Sequence, residues 1–191
     1  MLNALQLHAQ SVMHSFTQGY LVKMNGDTLK GNIASLSEEE NSDTVYFKQK
    51  ADDAVTTFLP EDVKMFKREG NLYFSKQVSE RKQAFVKLIE KGKVNLYLYS
   101  YQYRKGSDGG SVNTNAVNGP VALNYKEKPM KKESLYYLEK SNGEIKKISR
   151  TNQRGDLWAF FKGDDEMVKK VKEQKLEYEE IPGLIKEHNK K

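Results

Sequence analysis

Two Asn-Gly pairs, each set between runs of alternating polar and apolar residues, restrict this chain to a largely antiparallel sheet. Asn25-Gly26 separates residues 19–24 from residues 28–33, and Asn142-Gly143 lies in a similar setting near the other end of the chain. Asn-Gly readily takes positive φ at both positions, as a type I′ turn requires, and the twist of that turn suits a hairpin. Both pairs therefore predict tight type I′ hairpins.

The residues between these hairpins continue the pattern of short strands. Residues 44–49 and 55–59 predict one strand pair, and residues 63–68 and 71–78 predict another, joined at Glu69-Gly70. Residues 93–103 are the clearest strand, because Val94, Leu96 and Leu98 alternate with four tyrosines. These strands predict an antiparallel meander.

Residues 79–91 fit two structures. Apolar residues recur there at helical spacing, Ser79 can cap the first turn, and Gly92 suits the position after a helix end. The alternation from Ala84 to Leu88 fits a strand as well. The capping residues favour a short helix.

The C-terminal part changes character to helical. Helices are predicted from Leu157, over 164–172 and over 178–189. The predicted fold is α+β: an antiparallel meandering sheet in a β-rich domain at 18–150, with short C-terminal α-helices in a subdomain at 151–191 packed on it. Whether the sheet curls into a barrel-like or sandwich-like form stays open. The helical residues expected in the core are Trp158, Phe160, Phe161, Val168, Val171, Leu184 and Ile185.

A long polar loop is predicted at 104–133. It is rich in Gly, Ser and Asn, and residues 121–125 have the pattern of a short strand within it. Loops of this length inside compact domains are usually functional or disordered.

Residues 1–10 resemble the last part of a signal peptide. A short apolar run precedes Leu7 and Ala9, which occupy the −3 and −1 positions of a cut before Gln10. The basic n-region is missing, so either Met1 is internal to a longer signal or the segment is a frayed arm of a cytoplasmic protein. We favour export to the periplasm or the medium, with residues 11–17 as a flexible arm.

Charge and composition restrict the possible partners. The chain has 32 Lys and Arg against 26 Asp and Glu, a net charge of +6, which suggests nucleic acid as one partner. The basic excess centres on residues 126–132, where lysines alternate with glutamates, and a solvated loop is the favoured interpretation. No run approaches the roughly 18 apolar residues of a membrane span, so no transmembrane segment is predicted. The absence of cysteine excludes disulfides and thiolate metal sites.

No catalytic, cofactor-binding or metal-binding residues are predicted. His8, His14 and His188 lie in terminal segments, while Asp52-Asp53 and Asp164-Asp165 suit a turn and a helix start. No glycine-rich loop has the spacing of a phosphate site. The chain is therefore predicted not to be an enzyme, although a site assembled from scattered polar residues stays an alternative.

The residues singled out for binding lie at the end of the clearest strand. Tyr97, Tyr99, Tyr101 and Tyr103 share one strand face, and Arg104 follows them. Such a stripe suits a platform for a glycan or a peptide, because tyrosine combines an apolar face with a polar tip. A half-buried sheet face is the plainer explanation, and base stacking is a third.

Three segments resemble a family of uncharacterised exported proteins from Gram-negative bacteria. They are Gly19-Tyr-Leu-Val with Asn25-Gly-Asp-Thr-Leu-Lys-Gly31, then Leu88-Ile-Glu-Lys-Gly-Lys-Val-Asn-Leu-Tyr97, and the ending Ile185-Lys-Glu-His-Asn189. The resemblance implies an envelope or extracellular location and no particular activity. With the tyrosine stripe, it leads to the expectation of a non-enzymatic exported binding or structural module. Its partner is unknown, with a glycan, a peptide or another envelope protein as candidates.

Overall fold

The computed structural model describes residues 14–104 and 129–191, which contain ten strands and four helices. The strands are β1 (Phe16–Lys23), β2 (Thr28–Ala34), β3 (Val45–Lys48), β4 (Thr56–Phe58), β5 (Val63–Arg68), β6 (Asn71–Ser79), β7 (Lys82–Glu90), β8 (Val94–Tyr103), β9 (Lys131–Lys140) and β10 (Ile145–Ile148). The helices are α1 (Glu38–Asn41), α2 (Gln153–Phe160), α3 (Asp165–Glu173) and α4 (Ile181–Asn189), the last preceded by a 3₁₀ turn at Tyr178–Glu180.

The chain divides into two compact units between Lys87 and Leu88. Strands β1 to β6 and residues 82–87 of β7 belong to the first unit, in the order β7-β6-β5-β1-β2-β3-β4, and the second unit has the order β10-β9-β8. The sheet is open, and the α+β class with antiparallel strands and short C-terminal helices is confirmed. Residues 151–191, predicted as a helical subdomain, belong to the same unit as β8, β9 and β10.

One face of the first unit's strands carries its core. Antiparallel register places Leu21 opposite Phe66, and Phe66 opposite Tyr73. The Phe66 and Tyr73 rings stack with centroids 4.5 Å apart, and Phe85 meets Phe66 edge to face. All four side chains are buried, so β1, β5, β6 and β7 are held by one continuous apolar contact.

A buried arginine fixes the segment that carries α1. The Arg68 guanidinium donates from Nη1 to the Ala34 carbonyl at 2.7 Å and to Asn41 Oδ1 at 3.0 Å. Helix α1 lies in what the sequence predicted only as a polar connection, and Ser37 and Glu40 close it with a capping box. The short helix is therefore stabilised by its capping box and by hydrogen bonds from the side chain of Arg68, which is distant in sequence.

The second unit packs its helices on β8 and β9. Val94, Leu96 and Leu138 form the sheet side of this core, and the helices contribute the side chains Leu157, Phe160, Phe161, Met167, Val171, Leu184 and Ile185. Trp158 was expected in the core, but it is 45% exposed. Leu157 and Phe160 define the buried face of α2, and one residue along a helix turns the side chain by about 100° away from that face.

Two side chains from the C-terminal segment bind strand backbone directly. The Tyr178 hydroxyl accepts the Tyr136 N–H at 2.8 Å and donates to the Ile148 carbonyl at 3.0 Å. The Asn189 carboxamide pairs with both the N–H and the C=O of Val94, at 3.0 and 2.8 Å. These bonds fix the 3₁₀ turn and α4 against the strands.

The predicted helix at 79–91 is wrong, because this segment is strand β7. It pairs antiparallel with β6, with Phe74 opposite Val86 and Ser75 opposite Phe85. Ala84, Phe85 and Val86 are all buried, so both faces of the strand are covered. A strand buried on both faces has a continuous apolar run, and such a run also satisfies helical spacing.

The turn type predicted for the Asn-Gly pairs is also wrong. Gly26 and Gly143 have φ of +94° and +85°, but Asn25 and Asn142 stay at negative φ. The asparagine side chains instead accept the N–H two residues on, at 3.0 and 2.9 Å, which stabilises a three-residue loop ending in a left-handed glycine. Glu69 and Gly70, with φ of +51° and +81°, are the pair that takes positive φ at both positions.

Several predicted boundaries shift or fall outside the described residues. β1 begins at Phe16, within the predicted arm at 11–17, and β9 begins at Lys131, within the predicted loop at 104–133. The signal-like residues 1–10 and the strand predicted at 121–125 lie outside the described residues. In the described ranges, none of the helices combines the length and apolarity needed to span a membrane.

Candidate functional site

The structure brings the predicted tyrosines together on one face of β8. Tyr99 and Tyr101 stack with ring centroids 5.2 Å apart, and Tyr103 lies 6.0 Å beyond Tyr101. Tyr137 stands directly opposite Tyr97 on β9, and its ring meets Tyr99 edge to face. The stripe is therefore a real aromatic cluster.

Most of this cluster is closed to solvent. Tyr97 is 3% exposed and Tyr99 7% exposed, whereas Tyr103 is 37% exposed. The Tyr97 hydroxyl donates to Glu139 Oε2 at 2.6 Å, and Tyr101 donates to Glu133 Oε2 at 2.5 Å. Burial, reinforced by these carboxylates, raises the pKa of Tyr97 and Tyr101 above the usual tyrosine value.

The inner tyrosines therefore behave as core side chains. Burial also raises the pKa of Tyr137, to about 12, so these hydroxyls stay protonated throughout the physiological range. Of the stripe residues, Tyr101 and Tyr103 keep accessible surface, and the exposed Arg104 follows them at this end of β8. The binding role of the stripe stays a prediction, with a smaller surface than the sequence suggested.

A different site emerges on the solvent-facing side of the first unit. Tyr20 on β1 stands directly opposite Lys30 on β2 and directly opposite Lys67 on β5. Side chains in such pairs share a face, with Cβ atoms about 5 Å apart. Tyr20 thus has a lysine beside it on each of the two neighbouring strands. We call this surface the Tyr20 groove.

The Tyr20 groove has a volume of about 550 Å³, within the range of small-ligand sites. Besides the three residues above, the side chains that line it are Gln18, Asn32, Gln49 and Glu69. Gly19, Gly31 and Gly70 contribute backbone only.

The groove has an uncompensated positive charge. Lys30 and Lys67 form no ion pair within the described residues, and both are exposed. The one carboxylate, Glu69, is held elsewhere: Oε1 accepts from Ser35 Oγ at 3.1 Å, and Oε2 lies 3.6 Å from Arg68 Nε. The two ammonium groups therefore favour an anion placed over Tyr20.

The remaining polar groups favour a hydroxyl-rich ligand. The carboxamides of Gln18, Asn32 and Gln49 make no side-chain hydrogen bond among the described residues. Each carboxamide can both donate and accept, which suits hydroxyl groups, and the tyrosine ring offers an apolar surface beside them. The combination can hold a flat, hydroxylated anion.

The sequence reasoning missed this groove. It placed Tyr20 within the strand predicted at 19–24, but Lys67 is 47 positions away and becomes a neighbour only through the β1–β5 register. The Tyr20–Lys30 pair was missed as well, because a two-residue type I′ turn at Asn25-Gly26 would place Gly31 opposite Tyr20. The three-residue loop shifts the register by one residue and places Lys30 there.

Several titratable side chains that the structure describes are held by ion pairs or hydrogen bonds to their neighbours. Across residues 14–104 and 129–191, no three His, Asp or Glu side chains gather as a metal site. The pKa of Glu40 is lowered by hydrogen bonds from Ser37, and the pKa of Glu179 is lowered by Arg150. A general acid needs the opposite shift. His188 lies with its Nδ1 3.6 Å from Asp164 Oδ2.

The fold and the groove together define an α+β protein whose open sheet carries a cationic, aromatic and amide-lined surface. No protein-family model, curated protein or solved structure matches the chain. The resemblance to exported proteins therefore stays a prediction, and the functional argument depends on the geometry of the site.

Proposed function

We propose that this protein is a non-enzymatic binding module that holds an acidic carbohydrate in the Tyr20 groove. The observation that carries the proposal is the Lys30–Tyr20–Lys67 arrangement, in which two lysines without ion pairs flank an aromatic ring. A carboxylate-bearing sugar matches this surface, because its charge meets the lysines while its ring lies on the tyrosine.

The carboxamides support a carbohydrate over a simple inorganic anion. A bare anion needs only the lysines, whereas Gln18, Asn32 and Gln49 add donors and acceptors spread across the groove. The groove residues act by binding alone, and no nucleophile or general acid is assigned to them.

We further propose that the protein acts outside the cytoplasm, in the envelope or the medium. The signal-like pattern of residues 1–10, with Leu7 and Ala9 before Gln10, supports this location. Acidic polysaccharides are common outside cells, which agrees with the proposed ligand. N-terminal sequencing of the protein made from its native gene tests the location, and a cytoplasmic product that retains Met1 would contradict it.

The binding proposal is tested by calorimetric titration with tetragalacturonate. The same oligosaccharide with methyl-esterified carboxyls is the matched neutral ligand. We expect saturable binding of the acid that weakens as salt is raised, and much weaker binding of the ester. Equal affinity for acid and ester, or no binding of either, would end the proposal.

Variants locate the site. Lys30→Gln combined with Lys67→Gln should weaken binding about tenfold, since exposed ion pairs contribute up to about 1 kcal/mol each. Lys64→Gln combined with Lys91→Gln changes the net charge equally at exposed positions outside the groove. This control pair should bind like the unmodified protein, and an equal loss in both pairs would mean non-specific attraction to a basic protein.

A further inference from the structure

Asn25-Gly26 and Asn142-Gly143 lie in two loops of the same kind, and both loops are open to solvent. In each pair the asparagine and the glycine are exposed, and the glycine has positive φ. The backbone nitrogen of a glycine can approach the preceding asparagine side chain with little obstruction, because glycine has no Cβ. These loops are therefore places where the chain can modify itself.

The reaction is an intramolecular loss of ammonia from the asparagine side chain. The glycine nitrogen forms a bond to Cγ of the asparagine, and the bond from Cγ to Nδ2 breaks. The proton of the glycine N–H leaves with the side-chain nitrogen as ammonia. Water then opens the resulting cyclic imide at either carbonyl, which gives aspartate or isoaspartate. Water is the only co-reactant.

The closed form of each turn protects the attacking nitrogen. The Gly26 N–H donates to the Lys23 carbonyl at 2.9 Å, and the Gly143 N–H donates to the Lys140 carbonyl at 3.0 Å. Because the attacking nitrogen must lose this proton, the hydrogen bond has to break before the reaction can start. The rate at each pair therefore depends on how readily its turn opens.

The two turns differ in the strands that they join. Asn25-Gly26 joins β1 to β2, and each of these strands is paired on both sides, β1 also with β5 and β2 also with β3. Asn142-Gly143 joins β9 to β10, a four-residue strand at the edge of the sheet that pairs with β9 alone among the described strands. A short edge strand opens more readily than an interior strand, because fewer hydrogen bonds hold it.

The two asparagines also differ in what holds the carboxamide. Asn25 Oδ1 accepts the Asp27 N–H at 3.0 Å, and Asn25 Nδ2 donates to Asp27 Oδ2 at 2.7 Å. Asn142 Oδ1 accepts the Glu144 N–H at 2.9 Å, but its Nδ2 has no partner among the residues that the structure describes. The Glu144 carboxylate instead lies 3.0 Å from Lys140 Nζ. The Asn142 carboxamide is therefore less restrained in turning toward the glycine nitrogen.

From these differences we propose that Asn142-Gly143 is a self-modification site, which deamidates in the folded protein to aspartate and isoaspartate faster than Asn25-Gly26 does. Either product places a carboxylate beside Glu144, and isoaspartate also adds a methylene group to the backbone of the loop. Neither loop belongs to the Tyr20 groove, so the inference stands or falls separately from the carbohydrate proposal.

The test is peptide mapping of the full chain after incubation in mildly alkaline buffer, once folded and once in urea. Trypsin places the two pairs in separate peptides, residues 24–30 and 141–146, and Asn118-Gly119 in a further peptide. Mass spectrometry follows the conversion of amide to acid in each peptide, and an unincubated sample corrects for conversion during digestion.

The rate in urea divided by the rate in the folded chain measures the protection of each pair. This ratio removes the intrinsic effect of the neighbouring residues. We expect measurable conversion of Asn142 in the folded chain and protection at least about fivefold smaller than at Asn25, because Asn25 has one more hydrogen bond and lies between interior strands.

Two variants test the role of the carboxylate that follows each pair. Asp27→Ala removes the partner of Asn25 Nδ2, so it should lower the protection of Asn25 about threefold or more and leave Asn142 unchanged. Glu144→Ala is the matched control, because this carboxylate binds Lys140, and it should change the protection of Asn142 by less than about twofold. A melting curve checks that each variant is folded, and the comparison within the unmodified chain requires no variant.

Three results would overturn the inference. They are the absence of conversion at Asn142 in the folded chain, protection of Asn142 equal to or greater than that of Asn25, and an effect of Glu144→Ala on Asn142 as large as that of Asp27→Ala on Asn25. Failure of tetragalacturonate to bind would leave these results unaffected, because the reaction requires no ligand.

Discussion

Replacing Tyr97 by alanine should destabilise the protein as a core mutation does. Tyr97 is 3% exposed, and its hydroxyl donates to Glu139 Oε2 at 2.6 Å. Truncating a buried aromatic ring costs about 3–5 kcal/mol of unfolding free energy through lost burial and the cavity left behind. Leaving Glu139 without this donor adds about 1 kcal/mol. We therefore expect a total loss of about 4–6 kcal/mol.

Two matched variants separate the ring from the hydroxyl and from the strand position. Tyr97→Phe keeps the ring and removes only the hydrogen bond, so it should cost about 1–2 kcal/mol. Tyr103→Ala removes a ring that is 37% exposed at the end of the stack, and it should cost less than about 1 kcal/mol. The predicted loss of unfolding free energy is largest for Tyr97→Ala, smaller for Tyr97→Phe and smallest for Tyr103→Ala.

Urea denaturation followed by far-ultraviolet circular dichroism measures the three free energies. Equal slopes across the series are needed for the comparison, because a changed slope signals a changed unfolded or native state. If Tyr97→Ala lies within about 1 kcal/mol of the unmodified protein, or if Tyr103→Ala costs more, the inner tyrosines are not core residues. The ligand platform predicted from the sequence would then regain its support.

Three further predictions follow from buried groups. Arg68→Met should lower the unfolding free energy by about 3 kcal/mol in urea melts, because two buried hydrogen-bond acceptors lose a charged donor; a cost below about 1 kcal/mol would contradict the structure. Gly31→Ala should cost about 2 kcal/mol or more, because a Cβ would collide with the Lys48 carbonyl, and a stability equal to the parent's would refute that geometry. The free energy of unfolding should keep its full value below about pH 10 and fall as the pH rises toward 12. The reason is that burial raises the pKa of Tyr97 and Tyr137 above that of an unfolded tyrosine. An unfolding free energy that stays constant across about pH 10–12 would refute the burial of their hydroxyls.

The strand-rich fold class was predicted from local residue patterns, and the structure has strands where these patterns are clearest. Residues 93–103 have strict alternation, and they form β8 with Val94 and Leu96 in the core and the tyrosines on the other face. The helix predicted at 79–91 was wrong because the central residues of this strand are buried on both faces. Burial on both faces removes the polar–apolar alternation that distinguishes a strand. The type I′ turns predicted at the Asn-Gly pairs were wrong because each asparagine side chain accepts a nearby backbone N–H while its own φ stays negative.

The candidate sites needed information that local patterns do not contain. Lys67 reaches Tyr20 only through the pairing of β5 with β1, and His188 reaches Asp164 only through the packing of α4 against the start of α3. Asn189 and Val94 are joined by two hydrogen bonds across 95 positions. Strand register and helix docking depend on the whole core, and a single sequence specifies them only through the fold.

Binding in the Tyr20 groove can be located residue by residue by titrating tetragalacturonate into the nitrogen-15-labelled protein. We expect saturable amide shifts on β1, β2 and β5 around Tyr20, Lys30 and Lys67, reversed by added salt and absent with the methyl ester. Shifts confined to residues outside these strands, or shifts of equal size with the neutral ester, would contradict it.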